Sequence, residues 1–232
     1  SKMVAIATVC FAVSLACVLS PWLARNHYHF NRAVVTGGYD DFIIAQRTAY
    51  NRMSFTEWSV AFIYWLPGYG EPLAATLFGH SSYAKLGTDP GSYMLIDSKE
   101  IFDSGLEAVD GDRERLTDYL VQTEILNHPL KHAVIGIPLA WRGVLAGKYL
   151  AAVGLPCALF LLFLAIKRRQ SELIILAVPA FTMVALYAAI SVSIPRYNVY
   201  LIYYYAISVA WAINLIIESH LRKSNQPTRI SS

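Results

Sequence analysis

Apolar positions fall into four long blocks, at about residues 3–23, 149–166, 173–193 and 197–217, and most polar positions gather between the first block and the second. Each block is about 18–21 residues long, enough for a helix to cross a hydrocarbon core of roughly 30 Å. Pro156 and Pro179 fall inside the second and third blocks; helical bundles tolerate such prolines where neighbours satisfy the freed carbonyls. The first block closes on Pro21-Trp22-Leu23-Ala24-Arg25-Asn26. Proline is expected to end that helix, Trp22 to anchor it at the lipid–water boundary, and Arg25 to supply the first full charge after Lys2. The block is long for a signal-peptide core and only Lys2 precedes it, so a retained helix is expected. The chain opens on Ser-Lys, which suits a fragment or a processed product.

Between the first two blocks the pattern changes to short amphipathic pieces with turn signals. Gly37-Gly38 marks a turn. Ser54-Phe55-Thr56-Glu57 has the spacing of a capping box and opens an apolar helix that stops before Pro67-Gly68-Tyr69-Gly70. Residues 72–79 are apolar again, and Thr88-Asp89-Pro90-Gly91 reads as a turn. From Asp112, the residues Leu116, Tyr119, Leu120 and Leu126 recur on one helical face, until Asn127-His128-Pro129 breaks the run. Residues 130–144, with Lys131, His132, Trp141 and Arg142 among apolar ones, have the make-up of an interfacial helix feeding the second block.

Composition agrees with the pattern. Of 232 residues, 56% are hydrophobic and 15% charged, where a soluble domain carries about a quarter charged. A formal charge of +3 gives no reason to expect a nucleic-acid partner. Cys10, Cys17 and Cys157 all lie in apolar runs and form no disulfide framework. The loop at residues 167–172 and the tail at residues 222–232 are basic, and short basic segments stay in the cytoplasm. The fold class is therefore an all-α integral membrane protein with four transmembrane helices. The first is residues 1–23, the other three lie within 148–221, and a helical, loop-rich extracytoplasmic domain of residues 24–147 separates them. Both termini are expected to be cytoplasmic, and membrane lipids are expected partners.

Three short motifs carry a resemblance. Pro21-Trp22 with Arg25-Asn26, then Gly37-Gly38-Tyr39, then Pro195-Arg196-Tyr197 together resemble the C-terminal part of GT-C glycosyltransferases. The nearest branch is the bacterial relatives of protein O-mannosyltransferases and of the aminoarabinose transferase. The resemblance implies a bacterial inner-membrane protein, a polyprenyl-phosphate-linked sugar as donor, and a site at the outer membrane face. It also implies a catalytic Asp in an N-terminal block of spans that this sequence does not contain. The chain is then expected to be the C-terminal piece of a longer enzyme, or a relative that works with a larger multispanning partner, and to transfer no sugar alone. The competing class is a non-catalytic membrane subunit whose outer domain docks a partner protein. A transporter fits less well, because no acid or base lies centrally in any block.

Candidate chemistry follows from these placements. Arg25 and Arg196 suit a lipid phosphate, since guanidinium forks onto phosphate oxygens; ordinary interfacial anchoring is the competing role. Asn26 and Tyr197 join them as substrate-binding candidates through the resemblance. Glu71 stands in a loop where an acid could face the membrane mouth. Asp40 and Asp41 are adjacent, point apart on any regular element, and form no acid–base pair. Glu57 is the capping-box partner of Ser54. His128 and His132, four apart, have metal-ligand spacing, with Glu124 one turn away but no Cys or third His beside them, so neither metal nor cofactor is expected. Tyr203, Tyr204 and Tyr205 lie deep in the last block and need partners or a wet cavity. No residue is assigned as catalytic.

Overall fold

The computed structural model describes residues 40–224 without a break and, before them, Val9, Val13, Ala16, Cys17 and residues 19–21 and 23–29. Packing divides the chain into two units, Ser1–Phe42 and Ile43–Ser232. Every described residue of the first unit up to His29 is helical, Pro21 included. The helix expected to end at Pro21 therefore continues. Proline removes one backbone donor, which leaves the carbonyl of Cys17 without its helical partner. The Ser20 hydroxyl donates to that carbonyl at 3.4 Å. Most of the first apolar block, the Gly37-Gly38-Tyr39 motif and the tail beyond Ser224 lie outside the described residues.

Among the described residues the chain is helical and holds no strand. Helix α1 (Asp40–Ala49) leads through a 3-10 turn to α2 (Phe55–Tyr64), which begins on a complete capping box. The Ser54 hydroxyl accepts from the Glu57 N–H at 3.2 Å, and the Glu57 carboxylate accepts from the Ser54 N–H at 2.8 Å. The same carboxylate accepts from the Tyr93 hydroxyl at 2.9 Å, so Glu57 is structural. Helices α3 (Gly70–Phe78), α4 (Ser98–Ala108) and α5 (Arg113–Leu120) follow. Leu116 and Leu120 of α5 are buried as expected, whereas Tyr119 and Leu126 are exposed. A π-helical stretch at Val121–Leu126 shifts the register after α5 and takes Leu126 off that face, whereas Tyr119, before it, lies at the exposed edge of α5 itself.

Helix α6 (Pro129–Val144) precedes three long helices, α7 (Tyr149–Lys167), α8 (Ser171–Ile190) and α9 (Tyr200–Ser224). All three are long and apolar enough to cross a membrane. They pack through small residues: Ala151, Gly154, Ala158, Leu161 and Ala165 make a buried stripe on α7, spaced three and four apart. Gly154 receives the Tyr205 side chain of α9 so closely that a Cβ there would collide with it. Small residues of this kind let helix backbones approach where lipid offers no hydrophobic drive. Only 22–28% of each helix is buried, and the outward faces carry Val153, Phe160, Phe163, Ile175 and Ile213. Such apolar surface is far beyond what a soluble monomer exposes.

The core beneath α1–α6 is continuous with one end of this three-helix bundle. Ala45, Tyr50, Leu116, Ile135 and Leu139 share a cluster with Ala188, Val192 and Ile194. The polar centre of that junction is Arg47, fully buried on α1. It donates to the carbonyls of Ala188 (2.6 Å) and His132 (2.7 Å) and to Asn51 Oδ1 (2.9 Å). Asn51 donates in turn to the Glu124 carbonyl and to His132 Nδ1, both at 3.1 Å, and His132 Nε2 donates to the Ala189 carbonyl at 2.8 Å. Both ring nitrogens of His132 are thus occupied, which leaves none for a metal. The last carbonyls of α8 are capped by Arg47 and His132 together, where a helix C-terminus favours positive charge and needs donors.

This network requires a neutral His132, since its Nδ1 must accept from the Asn51 amide. Burial, and then the neighbouring Arg47 charge, hold the imidazole pKa below its ordinary 6.5. The folded state therefore binds fewer protons than the unfolded state below that pH. The stability contributed is complete above about 6.5 and is lost as pH falls towards the depressed folded value. Thermal melts of His132→Gln, whose amide cannot titrate, should show a shallower acid dependence between pH 7 and pH 5 than the wild type. An unchanged acid slope would remove His132 from the junction's pH response.

Candidate functional site

A pocket of about 610 Å³ opens where the α2–α3 turn, the loop at residues 86–88, the end of α6 and the start of α7 meet, with Pro195 completing the wall. That volume is in the range of small-molecule sites. The turn can close because Gly68 has φ +77° and no side chain; a Cβ there would meet Tyr149 Oη at 2.5 Å. The α2–α3 turn is thereby held against the first residue of α7.

Arg142 is the pocket's cation of interest. It sits on the buried stripe of α6 with His132, Ile135 and Leu139. It is only 8% exposed, donates to the Tyr50 hydroxyl at 3.2 Å, and lies 5.0 Å over the Trp65 ring. Among the described residues it forms no ion pair with a carboxylate. A buried charge without a counter-ion costs several kcal/mol, on the order of the penalty for an unpaired ion. The residue lines the pocket, and the Tyr50 hydroxyl accepts from only one of its nitrogens. A guanidinium so held is a fork for an anion.

The rest of the wall mixes charge and hydroxyls. Lys148 lines it from the residue before α7, with φ 53° and ψ −112°. That backbone conformation strongly favours glycine, and a side-chain-bearing residue held there stores strain. Glu71 faces the pocket from the first turn of α3, where the helix N-terminus favours a carboxylate. Tyr64 lies between the acids: a Cβ on Gly87 would find Tyr64 Oη and Asp89 Oδ2 each at 3.0 Å. Burial first, then Glu71 and Asp89, push the Tyr64 hydroxyl pKa up, so it stays a donor at neutral pH. The pocket therefore offers an anion fork, a second cation, a carboxylate acceptor and a phenolic donor within one cavity.

The residues expected from sequence separate into groups. Glu71 lines the pocket. Arg196 does not: it is exposed on a 3-10 turn, Pro195–Asn198, with its guanidinium 5.3 Å over the adjacent Tyr197 ring. Tyr197 stacks on Tyr187 at 5.4 Å, inside the bundle end. Arg25 and Asn26 belong to the first unit, where Arg25 Nη1 donates to Asn26 Oδ1 at 3.2 Å. Sequence reasoning passed over Arg142 and Lys148. A signal for Arg142 was present, because it continues the His132, Ile135, Leu139 spacing and an arginine on a core stripe needs a reason.

Lys148 gives a direct test of stored strain. Lys148→Gly should melt at a higher temperature than Lys148→Ala, by of order 1 kcal/mol in stability, because glycine relaxes the positive φ and alanine does not. Equal melting temperatures for the two variants would mean that the turn carries no strain at this residue.

No family model, no curated protein and no solved structure matches this chain.

Proposed function

We propose that the chain is the C-terminal, lipid-donor- and acceptor-recognising part of a membrane glycosyltransferase. In this reading a sugar moves from a polyprenyl-phosphate carrier to an extracytoplasmic acceptor, and the pocket holds the carrier's phosphate. The observation that supports it is Arg142, a buried guanidinium without a carboxylate partner that lines a cavity at one end of three long apolar helices. A lipid phosphate presents its charge at that depth, next to hydrocarbon that its chain can occupy. Arg142 would fork onto two phosphate oxygens and Lys148 would meet the third as a point charge. Glu71 and Tyr64 would accept from and donate to sugar hydroxyls. Arg196, beside Pro195 at the rim, would meet headgroups outside the pocket. The proton acceptor for glycosyl transfer is assigned to the N-terminal spans or partner, since a base must lie within hydrogen-bond reach of the attacking oxygen.

The binding test uses undecaprenyl phosphate with the chain in lipid nanodiscs. Arg142→Lys retains charge but loses the fork, and should weaken binding about tenfold or more, the loss of one charge-assisted hydrogen bond. Arg196→Lys should change it little. Inorganic phosphate separates recognition of the anion alone from recognition of the lipid. Wild-type affinity in Arg142→Lys, with unchanged melting, would overturn the site.

Orientation follows from the basic loop between α7 and α8. Single cysteines at Ser81 and Ser171, both exposed positions, should label from opposite membrane sides with an impermeant reagent once the native cysteines are removed. Labelling of both from one side would mean that α7 does not separate them, and labelling of Ser81 from the cytoplasmic side with Ser171 outside would exclude an outer-face donor site.

A further inference from the structure

The described chain carries a second apolar surface, outside the three long helices. Helix α6 is apolar on two faces. One face buries Ile135 and Leu139; the other exposes Leu130 (77%), Val134 (42%) and Ile137 (54%). Beside that outward stripe runs a row of four rings from two helices. Phe55 stacks on Trp58 at 6.1 Å, Trp58 meets Phe62 at 4.9 Å, and Phe62 meets Trp141 at 6.3 Å. Phe55, at the open end of the row, is 81% exposed.

The indole N–H groups of this row are both bonded within the protein. Trp58 Nε1 donates to the Val134 carbonyl and Trp141 Nε1 to the Phe62 carbonyl, each at 2.9 Å. The two bonds cross-link α2 to α6, and both indoles stay partly exposed.

We infer that this α2–α6 face lies on the bilayer, with its aromatic row in the lipid headgroup layer. Three observations select lipid over a protein partner. The surface belongs to the helix that leads, through residues 145–148, into the first of the long apolar helices. Its composition, two tryptophans and two phenylalanines beside branched aliphatics, is that of an interfacial belt. Its indole donors are already satisfied, so it offers dispersion contact but little of the hydrogen bonding that a protein interface adds. The inference goes beyond an interfacial α6, because it draws α2 to the same surface. It fixes the depth of the pocket too: the α2–α3 turn that forms one wall follows directly from a helix lying along the membrane. It rests on the long helices crossing a bilayer and not on what the pocket binds.

The test places a bimane fluorophore on single cysteines at Phe55, Ile137, Phe163 and Glu107, with the native cysteines removed. The full chain is reconstituted in phosphatidylethanolamine–phosphatidylglycerol vesicles. Lipids brominated near the headgroup and lipids brominated deep in the chain report membrane contact, and iodide reports water. Phe163 faces outward from α7 and Glu107 is exposed on α4. Labels at Phe55 and Ile137 should be quenched by headgroup-brominated lipid about twofold or more over the label at Glu107, and be shielded from iodide. Quenching of both by iodide as at Glu107 would overturn the inference, with this face in water. Shielding from iodide and from both lipids would overturn it too, with protein covering the face. Failure of the deep-brominated lipid to quench Phe163 would overturn the spanning helices themselves, and the inference with them.

Discussion

Arg47 is the constraint on which the rest of the structure depends. A fully buried guanidinium with no carboxylate beside it is an expensive thing to fold around, and burial lowers its pKa to about 10. It is held because three of its donors meet oxygens of three separate elements: Asn51 after α1, His132 on α6 and Ala188 at the end of α8. Hydrogen bonds from a charged donor contribute about 1.5–3 kcal/mol each, and the C-terminal end of α8 adds the favourable side of its dipole. Moving α1 or α6 relative to α8 would leave a charge and several carbonyls unsatisfied together. The joint between the shorter helices and the long bundle is therefore stiff, and it is stiff through polar groups in an apolar setting.

Arg142 is the informative contrast. Both arginines are buried, both lack a carboxylate partner among the described residues, and both belong to the same packed region. Arg47 spends its donors on carbonyls inside the protein. Arg142 has one protein acceptor, the Tyr50 hydroxyl, and an aromatic face, and it lines a cavity. The difference between a structural and a binding arginine lies in that accounting of donors, not in burial or charge. Glu57 and Glu71 repeat the contrast among the acids: the first is used by Ser54 and Tyr93, and the second faces open volume.

Much of the helical order could be read along the chain because it is local. Three long helices, the capping box at Ser54, the break at Asn127-His128-Pro129 and the proline-containing interiors all follow from spacing and from what proline and serine do to a backbone. Pro21 was the local exception, because whether a proline ends a helix depends on who serves the freed carbonyl, and Ser20 does so here. Glu71, expected in a loop after a glycine-rich turn, lines the pocket from the first turn of α3 instead. Arg142 and Lys148 were not found, since a basic residue in an amphipathic helix reads as an interfacial charge until its long-range neighbours are known. The partners of Arg142, Tyr50 and Trp65, lie far from it in sequence. Arg196 stands outside this pocket, its guanidinium over its own neighbour's ring.

Helix α6 connects these features mechanically. His132 and Arg142 stand ten residues apart on one buried stripe, so the helix fixes the distance between them at about 15 Å, from its rise per residue. At one end His132 clamps the last turn of α8; at the other Arg142 faces the pocket. The outward stripe of the same helix, Leu130, Val134 and Ile137, is set by the same periodicity on the opposite side. A rotation of α6 that improved either face would spoil the other and break the His132 bonds as well. The pocket's guanidinium is therefore positioned by the packing of a whole helix against the bundle, not by the loop that lines most of the cavity. Substitutions at Ile135 or Leu139, which touch no ligand, act on the site through that rotation.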